Sequence, residues 1–204
     1  MIPSFVSLQE RAALRDFVAL NWTGGPIVEI GAFAGASAVA INQGMDAARL
    51  TGVFHVYDTF MFPDGEAHAE AYRQRLPWNH SDSFLSNFQL AVAPWVYRMH
   101  VHIGDALRSA LPPDSIYLLH LDCAISAAFH RAVSQRFFPL VTPGGVIVQQ
   151  DEGYDQAIWI APAMKRLVDA GRVVRLFRVE TSIYYAVRQG ISAEDVDAAF
   201  GGLV

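Results

Sequence analysis

The residues able to do chemistry begin with Glu29, Gly31 and Gly35, set in Ile27-Val-Glu-Ile-Gly-Ala-Phe-Ala-Gly-Ala-Ser37. Glycines four apart let a backbone bend sharply and approach a ligand with no Cβ in the way, while the first amides of the following helix face the same crevice. Gly31, Ala32, Phe33, Gly35 and Ser37 are therefore the expected ligand contacts of this bend. A dinucleotide fingerprint needs a glycine where this chain has Phe33, and a pyrophosphate would be repelled by Glu29. A cationic or zwitterionic ligand would not. Further acids stand at the ends of apolar runs: Asp58 after Val53-Phe-His-Val-Tyr57, Asp122 after Ile116-Tyr-Leu-Leu-His-Leu121, and Asp151 after Val146 to Gln150. A carboxylate closing the second strand of a doubly wound sheet can accept both hydroxyls of a ribose, so Asp58 and the adjoining Thr59 are placed there. Asp122 and Asp151 can take up a proton.

Glu-x-Gly-x-x-x-Gly points to S-adenosylmethionine more than to a nicotinamide. At this motif the chain resembles a class I S-adenosylmethionine-dependent methyltransferase, and within that class the macrocin O-methyltransferase type. That type carries an Asp-Ser-Phe-x-x-x-Pro segment after the second strand, to which Asp58-Thr-Phe-Met-Phe-Pro63 is similar. It also carries Leu-Asp-x-Asp and later Pro-Gly-Gly-x-Ile-x-x-Asp-Asp, to which Leu121-Asp-Cys-Ala124 and Pro143-Gly-Gly-Val-Ile-Val-Gln-Gln-Asp-Glu152 correspond. Asp122 and Asp151 keep the pattern, whereas Ala124 and Gln150 break it. The resemblance implies methyl transfer to a hydroxyl of a small molecule, a sugar or secondary metabolite. Gly104 and Asp105 would lie near the adenine, with Asp122 as the base or metal-held activator and Asp151 beside it.

Mg²⁺ prefers oxygen ligands in octahedral geometry, so Asp122, Asp151 and the Gln150 amide oxygen could hold one loosely; otherwise Glu152 compensates for the lost acid, or the enzyme works without a metal. An amide in place of a carboxylate removes one negative charge from such a cage and weakens it. His80 is a distant candidate base on a loop. His100 and His102 share one strand face at i and i+2, the spacing of a metal pair, but no third ligand is local and packing on the strand surface is the better reading.

The elements that must position these residues read as alternating strands and helices. Ser7-Leu-Gln-Glu10 has the form of a capping box and opens an amphipathic helix that ends near Trp22 to Pro26. Strands follow at 27–30, 53–57, 96–103, 116–121 and 146–148, with helices at 36–41 and 129–140, a largely helical stretch over 154–171, and two alternating runs, 173–179 and 182–187, forming a terminal hairpin. The expected fold is α/β: a doubly wound, mostly parallel seven-stranded sheet with an antiparallel C-terminal edge. A single domain over 1–204 is expected, with an insertion at about 62–96 acting as lid, substrate wall or oligomer contact, where Trp78, His80 and Trp95 would form an aromatic wall.

Composition narrows the rest. With 204 residues and 52% hydrophobic content, the chain has enough apolar mass for one full core. A formal charge of −5 argues against nucleic acid as a partner. No apolar run reaches the roughly 18–20 residues of a membrane span, and a single cysteine, Cys123, excludes an internal disulfide. A cytoplasmic enzyme with a small-molecule acceptor is expected, and exposed aromatics of the insertion would suit a homodimer. Two other readings stay open: a catalytically lapsed cofactor-binding or assembly module, suggested by Ala124 and Gln150, and a nicotinamide oxidoreductase, disfavoured by Phe33.

Overall fold

The computed structural model describes residues 2–62, 70, 73–76, 83–113, 115–123 and 126–203. Its strands are β1 (Ile27–Ile30), β2 (Phe54–Asp58), β3 (Met99–Ile103), β4 (Ile116–Leu121), β5 (Val141–Gln149), β6 (Val173–Val179) and β7 (Ser182–Val187). They form one seven-stranded sheet in the order β3-β2-β1-β4-β5-β7-β6. The first five are parallel and β7 runs antiparallel to both β5 and β6, as the alternating pattern and the terminal hairpin predicted. The strand order reverses between β1 and β4. In open parallel sheets the two flanking connections leave in opposite directions there, and a crevice opens at the carboxyl ends.

Side-chain alternation divides the polar residues between the two faces. Ile27, Phe54, Val56, Leu118, Val146, Val148 and Tyr184 pack beneath α1 (Leu8–Asn21) and α2 (Ala36–Ala48), with Leu14, Val18, Ile41 and Met45 closing this layer. Val28, Ile30, Tyr57, Leu119, Leu121, Ile147, Ile183 and Tyr185 face the opposite layer, formed by α4 (Ala127–Phe137), α5 (Ile160–Asp169) and α6 (Ala193–Phe200). Continuing the same period of two, Glu29, Asp58, His120, Asp122 and Gln150 belong to the α1/α2 side.

The capping box at Ser7 forms as its spacing predicts: Ser7 Oγ accepts from the Glu10 amide at 3.1 Å and Glu10 Oε2 accepts from the Ser7 amide at 2.9 Å. Several boundaries differ. Residues 93–98 form a 3₁₀ turn and β3 starts only at Met99, because Pro94 fixes a turn geometry and removes a ladder donor. The helix expected over 129–140 begins at Ala127 and tightens into a 3₁₀ turn over Phe138–Leu140. β5 starts at Val141 rather than Val146, with a register slip that carries residues 142–145 past Tyr117. Of the 62–96 insertion, Trp78 and His80 lie outside the described residues. Among its described residues is α3 (Leu85–Val92), which buries Phe88 and Val92, while Phe84 just before it is buried too. Trp95 does not form a substrate wall: its indole Nε1 donates to Asp46 Oδ2 at 2.6 Å, near the far end of α2. Among the described residues no helix is long and apolar enough to cross a membrane.

Candidate active site at the strand-order reversal

Gly31 follows β1 with φ +87°, and a Cβ there would fall 1.9 Å from the Asp122 carbonyl oxygen. Only glycine lets the ends of β1 and β4 meet this closely. Backbone bonds hold the junction: the Gly31 amide donates to Tyr57 O and the Asp122 amide to Ile30 O, both at 2.9 Å. Gly35, φ +90°, starts α2, and Ser37 is buried in that helix's first turn. Three non-glycine residues around this edge hold left-handed backbone, Phe33 at +45°, Phe60 at +54° and Asp151 at +64°. Such conformations persist only where their surroundings enforce them, and they gather at functional sites.

Asp58 is the fastener of the bend. Its Oδ2 accepts from the Ala32 amide at 2.7 Å and the Phe33 amide at 3.0 Å, and Oδ1 accepts from the Phe60 amide at 2.7 Å. Burial nevertheless raises its pKa, outweighing those three donors, with the nearby Glu29 charge adding to the rise. Each carboxylate oxygen can accept about two bonds, so Oδ1 retains acceptor capacity for a ribose hydroxyl. Ala32 and Phe33 were expected to touch a ligand through their amides, but those amides are occupied by Asp58. The Phe33 ring instead packs against Phe5 and Phe84, at centroid distances of 5.2 and 5.1 Å. Thr59 is exposed, and its hydroxyl accepts from the Met61 amide at 3.4 Å. The Gly104 amide donates to Asp58 O at 2.9 Å, which brings the end of β3 beside that of β2. Asp105 turns back to accept from the Leu107 amide at 2.9 Å.

Beneath the bend lies a buried acid–imidazole pair. Glu29 and His120 face each other across β1 and β4, with Glu29 Oε1 3.0 Å from His120 Nδ1 and both side chains almost fully buried. Burial alone would discharge the imidazole. The Glu29 hydrogen bond and charge, joined by the Asp122 and Glu10 charges, reverse this and raise the His120 pKa. Glu29 Oε2 is buried with no hydrogen-bond partner.

Asp122, two residues beyond His120 on the same face, has its pKa pushed up to about 8, first by burial and next by the Asp151 charge. Asp151 is raised by burial and by Glu10. Both residues remain partly exposed, so solvent entering the crevice moderates these shifts. The geometry thus collects Glu29, Gly31, Gly35, Asp58, Asp122 and Asp151 at one edge, with the His120 imidazole beneath them.

Sequence reasoning missed two members. His120 sits at i−2 from Asp122 and meets Glu29 only once β1 and β4 pair. Glu10 reads as a simple capping acid, yet its Oε1 accepts from the Thr181 amide and hydroxyl, the Ser182 amide and hydroxyl, and Gln150 Nε2, at 2.8 to 3.0 Å. Gln150 is accordingly not a metal ligand. Its amide nitrogen also donates to Thr181 Oγ1 at 2.9 Å, and its oxygen competes with Glu10 Oε1 for the single Ser182 hydroxyl proton. Glu152 cannot compensate, because its Oε2 accepts from Tyr185 OH at 2.6 Å on the other face of the sheet. Ala124 lies outside the described residues and offers no side-chain oxygen. Among the described residues no group of three or more histidine, cysteine or acidic side chains is arranged to hold a metal ion, so the expected Mg²⁺ set does not fit. A cationic cofactor fits better: the carboxylates outnumber His120, and Glu29 Oε2 is an unpartnered buried anion atom below the glycine bend.

A family model described as a methyltransferase domain matches residues 28–151, from β1 to Asp151, two residues past β5. None of the curated proteins matches the chain. Among solved structures, the O-methyltransferase NovP superposes with a TM-score of 0.68 at 15% identity, covering 92% of this chain and 83% of that one. CalS11, a TDP-rhamnose 3′-O-methyltransferase of calicheamicin biosynthesis, gives 0.56 at 16%, covering 88% and 77%. An rRNA methylase from Streptococcus thermophilus gives 0.54 at 12%, covering 91% and 99%. At these identities the likeness is one of fold.

Proposed function

The chain belongs to the methyltransferase-domain family, as a class I S-adenosylmethionine-dependent enzyme, and on that premise we propose that it methylates a hydroxyl of a small molecule, a sugar or secondary metabolite. The nicotinamide alternative falls with the family assignment. The observation that carries the proposal is Asp122: a carboxylate at the strand-order reversal, its backbone against Gly31 of the glycine bend and its pKa raised by burial and by the Asp151 charge. A base titrating near the working pH exists in its proton-accepting form while keeping a strong drive to take the proton. The bound cofactor supplies an electrophilic methyl group on a sulfonium, so the protein's task is alignment and removal of the hydroxyl proton. Asp122 accepts that proton at a carboxylate oxygen. Asp151 keeps Asp122 basic by repulsion, and His120 below works against that effect. Asp58 holds the bend that Gly31 and Gly35 form, and Glu29 Oε2 offers the buried negative charge that a cationic ligand needs. No step is assigned to a metal.

The acceptor class rests on the net charge of −5, which disfavours a polyanion such as rRNA, and on NovP and CalS11, the second of which acts on a nucleotide sugar. A second reading, a cofactor-binding module without turnover, is favoured by Gln150, whose side chain is locked to Glu10 and Ser182 where the macrocin-type pattern has an acid. Calorimetry with S-adenosylhomocysteine, followed by methyl transfer across a panel of nucleotide sugars and phenols, separates the two. Asp122→Asn should lower turnover by about 10²–10⁴-fold with product affinity retained, and should abolish the rise of the rate through about pH 8. Binding without any turnover in the wild type would favour the module, and no binding would reject both.

A further inference from the structure

Asp151 would not face the crevice if the chain beyond β5 kept its strand alternation. Gln149 points into the layer of α4, where its Oε1 lies 3.1 Å from His130 Nε2, and Gln150 points to the α1/α2 side. A regular strand would therefore return Asp151 to the Gln149 side. Instead Asp151 takes φ +64°, a left-handed backbone that a non-glycine residue holds only where its surroundings enforce it. Beyond burial, the charges that bear on its carboxyl are those of Glu10 and His120, both on the α1/α2 side.

The groups that enforce this turn converge on one buried oxygen. Glu10 Oε1 accepts from Gln150 Nε2 at 3.0 Å, which holds the residue before Asp151. It also accepts from the Thr181 amide at 3.0 Å and the Thr181 hydroxyl at 2.8 Å. Thr181 in turn holds the residue after Asp151, since its carbonyl oxygen accepts from the Glu152 amide at 3.1 Å. Bonds to a carboxylate are roughly twice as strong as neutral ones, so this oxygen grips both sides of the turn. The other Glu10 oxygen caps α1 through the Ser7 amide, and the two oxygens thus have separate tasks. Gln149, Gln150 and Glu152 each have a side-chain partner, whereas among the described residues the Asp151 side chain has none. Its carboxylate is left for the crevice, where its charge acts on Asp122.

We propose that Glu10 is a positioning residue for the reaction: by holding Gln150 and Thr181 together, it fixes the left-handed turn that swings Asp151 toward Asp122. The kinetic side of this role rests on the proposed methyl transfer, while the clamp itself exists without substrate. An acid that served only to cap its helix would change stability and nothing at the crevice.

The test compares three variants of the full chain. Glu10→Ala removes the clamp, and Thr181→Val cuts one arm of it while keeping size and carboxylate. Ser7→Ala removes the Ser7 hydroxyl from the cap and leaves Glu10 Oε1 untouched. Amide hydrogen exchange at Gln150 and Glu152, normalised to the β1 amides, should quicken at least about tenfold in Glu10→Ala and Thr181→Val and match wild type in Ser7→Ala. With an acceptor from the nucleotide-sugar and phenol panel, Glu10→Ala should lower kcat by about 10²-fold while KM for S-adenosylmethionine stays within about twofold. Glu10→Gln, which keeps an acceptor oxygen of the same reach, should recover part of that loss, and Ser7→Ala should lower the thermal midpoint with kcat unchanged. If Glu10→Ala does not fold, Thr181→Val decides by the same two readouts. Unchanged exchange at Gln150 and Glu152 would overturn the clamp whether or not the protein turns over. Quickened exchange with wild-type kcat, or a kcat loss equally large in Ser7→Ala, would overturn the positioning role and leave the methyl-transfer reading standing. A wild type that turns over no acceptor would overturn that reading and the role of Glu10 with it.

Discussion

Gly31 and Gly144 offer a matched pair for testing how the glycine bend is built. Their φ angles are +87° and +88°, so an alanine at either position meets the same left-handed backbone penalty, about 1–2 kcal/mol. Their surroundings differ. A Cβ on Gly144 has nothing within 4 Å, whereas one on Gly31 falls 1.9 Å from the Asp122 carbonyl oxygen and 2.7 Å from its carbon. The Asp122 carbonyl would have to retreat by roughly 1 Å merely to reach a tight contact, in an interior packed too closely to absorb this locally. Overpacking of this kind costs about 1–3 kcal/mol. Straining the bonds from Gly31 N to Tyr57 O and from Asp122 N to Ile30 O adds about 1 kcal/mol. At about 2–4 °C per kcal/mol for a chain of this size, Gly144→Ala should lower the thermal midpoint by about 2–8 °C and Gly31→Ala by a further ~4–16 °C. Differential scanning fluorimetry measures the first quantity. Calorimetry with S-adenosylhomocysteine measures the functional one: Gly144→Ala should bind as wild type, and Gly31→Ala should bind at least about tenfold more weakly. Equal midpoint shifts together with equal affinities would refute the contact between Gly31 and Asp122 and the placement of the cofactor above it.

Two buried histidines should respond to pH with opposite sign. The His120 pKa is raised by Glu29, so the pair's stabilisation is complete below the unfolded value of about 6.5 and is lost as pH rises through the folded value. Glu29→Gln, which leaves a buried charge without its partner, should cost about 3–5 kcal/mol, and its midpoint gap from wild type should narrow above pH ~6.5; a gap that widens with pH would refute the pairing. His130 is held neutral by burial: its Nδ1 accepts from Trp159 Nε1 at 3.1 Å, its Nε2 lies 3.1 Å from Gln149 Oε1, and its pKa is lowered to about 4. Its contribution is complete above about pH 6.5 and is lost as pH falls toward the folded value, so the gap between wild type and His130→Gln should close under acid, as followed by circular dichroism melts.

Much of this architecture is legible in the chain because it is local or periodic. The capping box at Ser7, the alternating runs over 173–179 and 182–187 and the glycine bend depend on residues a few positions apart, and each folds as its spacing predicts. The acids at strand ends are equally visible, since in a parallel sheet the end of every strand meets the same edge. What the sequence by itself determined is therefore a doubly wound sheet with Glu29, Asp58, Asp122 and Asp151 along one rim. Only the tertiary structure decided which neighbour each polar group meets. Glu29 meets His120 because β1 and β4 are adjacent across a span of 91 residues, Glu10 meets Thr181 across 171, and Gln150 turns from the expected metal toward both Glu10 and Ser182. Partners so far apart leave no periodic trace, because their proximity comes from strand order and helix docking, and a buried carboxylate binds whichever donors that packing presents.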